Sequence, residues 1–66
     1  MIIVMSNNAT EEQIEGVLNK IKDKGLEGSV SKGTEKTVIG AIGDERLLDQ
    51  ELLESLPGVE QAMRIV

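Results

Sequence analysis

The chain has 66 residues and a formal net charge of −5 at pH 7, with seven basic residues against twelve acidic ones. A chain of this length fills one small domain and buries only about 60% of the surface that its unfolded form exposes. It contains no cysteine, histidine or aromatic residue, which excludes disulfides, thiolate and imidazole metal sites, and aromatic stacking platforms for single-stranded nucleic acid. Phosphate backbones are bound by clustered Lys and Arg, and this chain has an excess of acidic residues, so we expect no nucleic acid as a ligand. We also expect no metal and no cofactor.

The chain opens with an apolar run, residues 1–5, which is followed at once by polar Ser6, Asn7 and Asn8. A short run dominated by β-branched residues and ended by turn-forming residues predicts a buried strand. It is too short for the core of a signal peptide or for a membrane span. We therefore expect a cytoplasmic protein with no membrane partner.

A helix is predicted to begin after Thr10, because Thr10 and Gln13 have the spacing of a capping box. Gly25 is the expected C-terminal stop. Gly16 lies inside this helix, where a close helix-to-sheet approach and simple tolerance are equally good explanations. The apolar stripe at helical spacing consists of Ile14, Val17, Leu18 and Ile21.

The second half of the chain predicts a β-hairpin, a helix and a strand. Residues 28–32 and 36–42 form the arms of the hairpin around a Gly33-Thr34 turn. Either Asp44 or Asp49 is the expected N-cap of the second helix, which Pro57-Gly58 ends. Residues 59–66 read as the last strand. The leucines that recur at helical spacing between them are Leu48, Leu52, Leu53 and Leu56.

This order of elements predicts an α+β fold, the ferredoxin-like βαββαβ sandwich. It has a four-stranded antiparallel sheet, with the first and third strands in the centre and two helices on one face. The predicted central strands are apolar, whereas the predicted edge strands contain most of the polar residues of the sheet, as expected for protected sheet edges.

Two helices cover only one face of such a sheet, although both central strands are apolar on both sides. An uncovered apolar face of this kind indicates a partner. We predict that it is an association face formed by Ile3, Met5, Val38 and Ile42, or by their neighbours of opposite parity.

The sequence offers no catalytic apparatus. Asp44, Glu45 and Asp49 form the densest acidic group, but acids before and within the first turn of a helix act as caps. Ser29 and Ser31 have no histidine to activate them as nucleophiles. They are candidate hydrogen-bond donors to a ligand, and the alternative is that they are ordinary polar residues of an edge strand.

The hairpin sequence SKGTEKTVIGAIGD, residues 31–44, closely resembles the hairpin of the N-terminal regulatory domain of 3-deoxy-D-arabino-heptulosonate 7-phosphate (DAHP) synthase, the first enzyme of the shikimate pathway. The resemblance extends over the whole chain. It includes the opening strand, the Thr10-Glu11-Glu12 and Glu54-Ser55-Leu56 segments and the closing strand. The main departure is the turn at residues 6–9, where we expect a Lys-Pro-Gly type of sequence.

The resemblance implies that residues 1–66 are a single ferredoxin-like, ACT-like regulatory domain, excised from a longer chain with a C-terminal (β/α)8 catalytic barrel. The parent is then a transferase, and this chain alone is not an enzyme. In the family such domains mediate feedback inhibition by aromatic amino acids, with the effector held between regulatory domains of different subunits.

The resemblance also suggests the site and the partners. Ser31 on the second strand is the position carried over as effector-binding, and Ser29 falls where tyrosine-sensitive members can have histidine. The expected partners are another copy of the domain, a (β/α)8 barrel, or both, with phenylalanine or tyrosine as effector. An ACT-like interaction module that assembles subunits without sensing a ligand is the alternative, and a small-molecule carrier is a weaker one.

Overall fold

The computed structural model describes residues 1–65, so Val66, which we predicted as the end of the last strand, lies outside the described residues. The predicted βαββαβ order is confirmed. In chain order the elements are β1 (Ile2–Met5), α1 (Glu11–Asp23), β2 (Glu27–Lys32), β3 (Thr37–Ile42), a short 3-10 helix (Glu45–Leu47), α2 (Gln50–Ser55) and β4 (Val59–Met63).

The four strands form one antiparallel sheet in the order β2-β3-β1-β4. As predicted, the first and third strands are central, and β2 and β4 form the edges. Ile3 of β1 lies opposite Ile39 of β3 on one side and Ala62 of β4 on the other. Residues directly opposite each other in an antiparallel pair share a face, so this register fixes which side chains meet the helices.

Both ends of α1 are set by local sequence. The predicted capping box is present: Gln13 donates its backbone N–H to the Thr10 hydroxyl at 3.1 Å, and the Thr10 N–H donates to the Gln13 side chain at 3.0 Å. At the other end Gly25 has a φ of 86°. This left-handed conformation lets the Gly25 and Leu26 N–H groups reach back to Lys22 O and Ile21 O, which is the Schellman arrangement that favours glycine.

The second helical region is split into two short elements, because Leu48 and Asp49 have extended backbones. Both candidate caps are therefore used. Asp44 accepts from the Arg46 N–H and starts the 3-10 helix, and Asp49 accepts from the Glu51 and Leu52 N–H groups and starts α2.

The core lies between the sheet and the helices and is formed by aliphatic side chains from every layer. Its buried members are Met1, Ile3, Met5, Ile14, Val17, Ile21, Leu26, Ile39, Ala41, Leu48, Leu53 and Ala62. Leu18 and Leu56 are partly buried against this cluster, as predicted for the helix stripes. The prediction was wrong for Leu52, which is 40% exposed while Leu53 is buried, since the break at Leu48 shifts the register of α2. Among the described residues, no helix has the length and apolar character needed to cross a membrane.

Candidate functional site: the open face of the sheet

One face of the sheet carries no helix, and we call it the open face. Side chains alternate along each strand, and the strand residues of parity opposite to Ile3 and Ile39 point to this side. Val4, Val38 and Gln61 form one cross-strand row, and Ile2, Gly40 and Met63 form the next. The open face therefore presents aliphatic side chains at its centre, where a sheet covered on both sides would have a second core.

Two of the four residues of the predicted association face lie on the open face, and their role in association stays a prediction. Val38 is partly exposed and Ile42 is 61% exposed, which puts both on the open face. The prediction was wrong for Ile3 and Met5, each 0% exposed. These two face the helices, and their neighbours of opposite parity, Ile2 and Val4, take their place on the open face because successive side chains of a strand point to opposite sides.

Ser29 and Ser31 of β2 border the open face. Ser31 lies opposite Val38 and Ser29 lies opposite Gly40, so both hydroxyls belong to the same side of the sheet as the aliphatic patch. Both residues are exposed. The two candidate effector-binding residues therefore lie at the β2 edge of the open face, opposite Gly40 and Val38.

Gly40 leaves a shallow depression in the middle of this face. A Cβ built at this position would meet nothing closer than the Ser29 carbonyl oxygen, at 4.0 Å. The depression is bordered along β3 by Val38 and Ile42 and across the sheet by Ser29 and Ile2.

An ion pair spans one end of the sheet. The Lys36 ammonium, just before β3, pairs with the Glu60 carboxylate of β4, and β1 lies between these two strands. Because both side chains are partly exposed, the pair contributes little to stability.

The acidic group near α2 performs structural tasks. The Arg46 guanidinium donates to both Asp44 carboxylate oxygens at 2.9 Å, and this bond lowers the pKa of Asp44 and raises that of Arg46. Glu45 pairs with the α-ammonium group of Met1, and the same hydrogen bond lowers the pKa of Glu45. Asp49 caps α2. Residues 1–65 contain no group of three or more acidic, histidine or cysteine side chains arranged to hold a metal ion.

Two concavities lie on the helix side of the molecule, and the sequence did not predict either. The one beside α2 is lined by Gly16 of α1 and by Leu56 and Pro57 after α2, among others. The other, between α1 and β2, mixes polar side chains such as Lys22 and Glu27 with Leu18. The sequence feature that could have predicted the cleft beside α2 is Gly16, because glycine is unfavourable in the middle of a helix.

The strand order and the single helical layer define this protein as a ferredoxin-like α+β domain. The sequence matches the family described as the DAHP synthase ferredoxin-like domain over residues 1–66. The chain therefore belongs to that family, and the resemblance noted in the hairpin is confirmed.

A curated relative and a solved structure agree with this assignment. The chain is 41% identical over 66 residues to a phospho-2-dehydro-3-deoxyheptonate aldolase of Thermotoga maritima, a match that covers 100% of this chain and 20% of the relative. A crystal structure of the Thermotoga maritima enzyme, also named DAHP synthase, superposes with a TM-score of 0.90 at 40% identity and covers 98% of this chain and 19% of that one. The chain thus spans about a fifth of the length of the relatives it matches.

Proposed function

We propose that this chain is the regulatory domain of a DAHP synthase, where it mediates feedback inhibition by aromatic amino acids through association of regulatory domains. One observation carries the proposal: an uncovered aliphatic sheet face whose β2 border carries the hydroxyls of Ser29 and Ser31, next to Glu27. An aromatic side chain is held by the aliphatic patch and the Gly40 depression, and its polar groups are held by the two hydroxyls. A second regulatory domain covers the ligand from the other side.

Catalysis then belongs to the part of the parent protein that this chain does not contain. The relatives that match are aldolases of which this chain spans about a fifth, and the chain has no histidine or cysteine. The proposed partners follow from the open face: another copy of the domain, a (β/α)8 catalytic barrel, or both, in a cytoplasmic enzyme.

A direct binding experiment tests the sensing function. The chain has no Trp, Tyr or Phe, so the fluorescence of added tyrosine or tryptophan is observed without any background from the protein. An increase in ligand anisotropy on titration with the domain, together with calorimetric titration of phenylalanine and of chorismate-pathway products, identifies the effector. Heat and anisotropy that stay unchanged for all of these ligands contradict the sensing function.

Ser31→Ala is the informative variant. Leaving a polar group of a bound ligand without its partner costs about 1 to 3 kcal/mol, which is a loss of affinity of about 5- to 150-fold. Ser55→Ala is the matched control, since the Ser55 hydroxyl donates to Leu52 O within the helical layer. Equal affinities for the two variants rule out the assigned site.

The alternative is an interaction module that assembles subunits without sensing a metabolite. The 61% exposure of the Ile42 side chain favours association through this face whether or not a ligand is present. The binding experiment separates the two functions, because the assembly module associates in the absence of any amino acid and gives no heat on titration.

A further inference from the structure

The cleft between α1 and the segment that follows α2 has a volume of about 200 Å³. It opens on the helical layer, on the side of the molecule away from the open face. Its lining is mostly apolar and consists of Glu12, Gln13, Gly16, Val17, Leu56 and Pro57.

Gly16 lines this cleft with bare backbone. A Cβ at this position would have no heavy atom within 4 Å, so packing inside the domain does not require glycine here, and the close approach to the sheet that would explain it is not found. Gly16 is also not among the residues with positive φ. Glycine weakens a helix interior relative to alanine, and the feature it provides in return is an uncovered floor for the cleft.

The walls of the cleft are held in place by contacts within the domain. The Gln13 side chain is fixed by its hydrogen bond to the Thr10 N–H at 3.0 Å. Val17 is 1% exposed and therefore anchored in the core, and the Leu56 N–H donates to Leu53 O at 3.2 Å. A preformed cleft loses little conformational entropy when it is filled.

The size and charge of the cleft select its occupant. A volume of about 200 Å³ is below the range of about 300 to 1,000 Å³ that is usual for small-molecule sites, so the cleft takes one long side chain. Glu12 is the single charged residue of the lining and has no ion-pair partner within residues 1–65. The formal net charge of −5 also favours a basic partner over a second copy of this chain.

We propose that this cleft is a docking site for a lysine or arginine side chain projected by a partner protein. The methylene stem lies on Leu56 and Pro57, and the cationic head pairs with the Glu12 carboxylate. Lys and Arg combine such an apolar stem with a charged head that stays in water, which matches an apolar floor with one acidic group at its rim. The open face remains accessible while the cleft is occupied.

The test is an NMR titration of the ¹⁵N-labelled chain with two blocked amino acids, N-acetyl-arginine methylamide and N-acetyl-norleucine methylamide. A fragment of this size binds with a Kd on the order of millimolar, which amide shifts detect. We expect saturable shifts that centre on the Gly16 and Val17 amides, larger affinity for the arginine probe, and a weakening of that probe alone as salt is raised.

Two variants assign the contacts. Gly16→Ala raises the melting temperature by about 4 to 8 °C but lowers the affinity for both probes by about tenfold or more, because its methyl group occupies the floor. Glu12→Gln lowers the affinity for the arginine probe by about two- to fivefold, as expected for an exposed ion pair, and leaves the norleucine probe unchanged. Shifts that spread over the open face, or an unchanged affinity in Gly16→Ala, overturn the proposal.

Discussion

Ile21 of α1 and Leu52 of α2 differ sharply in burial, although the sequence places both in apolar stripes. Ile21 is 0% exposed and Leu52 is 40% exposed. Ile21→Ala removes a fully packed side chain, and we expect it to lower the free energy of unfolding by about 2 to 5 kcal/mol. Because small domains are marginally stable, this loss unfolds much of the population.

Urea unfolding followed by circular dichroism measures this effect. Leu52→Ala is the control and should change the free energy of unfolding by less than about 1 kcal/mol, because its side chain is already partly in water. Equal losses for the two variants contradict the assignment of the core.

Asp44 makes a small contribution to the acid stability of the domain through its exposed ion pair with Arg46. Hydrogen bonds from Arg46 lower the pKa of Asp44 below its ordinary value of 3.8. A carboxyl group whose pKa is lower in the folded state contributes stability that is fully present above its unfolded pKa and is lost as pH falls through the folded pKa. We therefore expect the wild-type free energy of unfolding to fall below about pH 4.

Asp44→Asn tests this directly, because asparagine keeps the capping oxygen but has no charge. Its free energy of unfolding should depend less on pH in that window than that of the wild type. Glu35→Gln is the control, since Glu35 has no side-chain hydrogen bond or ion pair within the described part of the chain. A slope that is unchanged in Asp44→Asn means that this pair has no role in acid unfolding.

At the scale of elements, the predictions were reliable where capping chemistry is local and unreliable where register depends on tertiary packing. The Thr10 box and the Gly25 stop are decided by residues within one turn, and both are confirmed. The leucines after Asp44 have helical spacing, but the helix is interrupted at Leu48. Five leucines within ten positions, residues 47–56, allow more than one register, and only the packing against the sheet selects Leu48 and Leu53.

The open face shows the same limit. The sequence predicts two helices for four strands, so an uncovered apolar face could be predicted. The sequence could not show whether Ile2 or Ile3 of β1 faces the helices. These two residues are chemically identical, and the choice between them depends on the register with β3. Ser29 and Ser31 were singled out as polar residues of an edge strand, and the family resemblance then added weight to Ser31. The pairing of β2 with β3 shows that they lie beside Gly40 and Val38.

The edge strand β4 has backbone groups that are hydrogen-bonded to side chains of α2. Gln50 donates its side-chain amide to Ala62 O at 2.7 Å, and Glu54 accepts from the Ala62 N–H at 3.0 Å. Two helix side chains thus occupy the outward backbone groups of β4 at this residue. Blocking an edge in this way prevents the addition of another strand.

Glu54→Ala should therefore lose the hydrogen-exchange protection of the Ala62 amide and about 1.5 to 3 kcal/mol of stability, the usual range for a hydrogen bond to a charged group. Glu54→Gln keeps an acceptor oxygen at the same place and should lose less of both. Exchange measured by NMR decides the matter, and an Ala62 amide that stays protected in Glu54→Ala shows that the side chain does not cap the edge.

At the scale of the whole molecule, the domain is a one-sided sandwich with two surfaces of different chemistry. The open face is aliphatic, with serine hydroxyls at its border. The helical layer carries a narrow cleft whose single charged lining residue is Glu12. Because the sheet separates these surfaces, the proposed pairing of two domains and the proposed docking of a basic side chain are compatible.

Association through the open face is tested most directly with a charge at Ile42. The isolated domain should self-associate at high concentration, and Ile42→Glu should abolish this association, because it puts a carboxylate into an apolar contact without a partner. The fold should survive, since Ile42 is 61% exposed. Leu47→Glu is the matched control: its side chain is 53% exposed but belongs to the 3-10 helix, outside the four strands.

Sedimentation velocity measures the association, and the runs are repeated at several salt concentrations and with an added aromatic amino acid. Each copy has a formal charge of −5, so two copies repel each other and added salt should strengthen their pairing by screening that repulsion. Salt has the opposite effect on the docking of a basic side chain in the NMR titration, so the two surfaces are distinguished by the sign of their salt dependence. An aromatic amino acid that binds at the interface should shift the equilibrium toward the pair, because binding and association are reciprocally linked. If the wild type stays monomeric at every salt concentration, with and without the amino acid, then the open face is not an association surface.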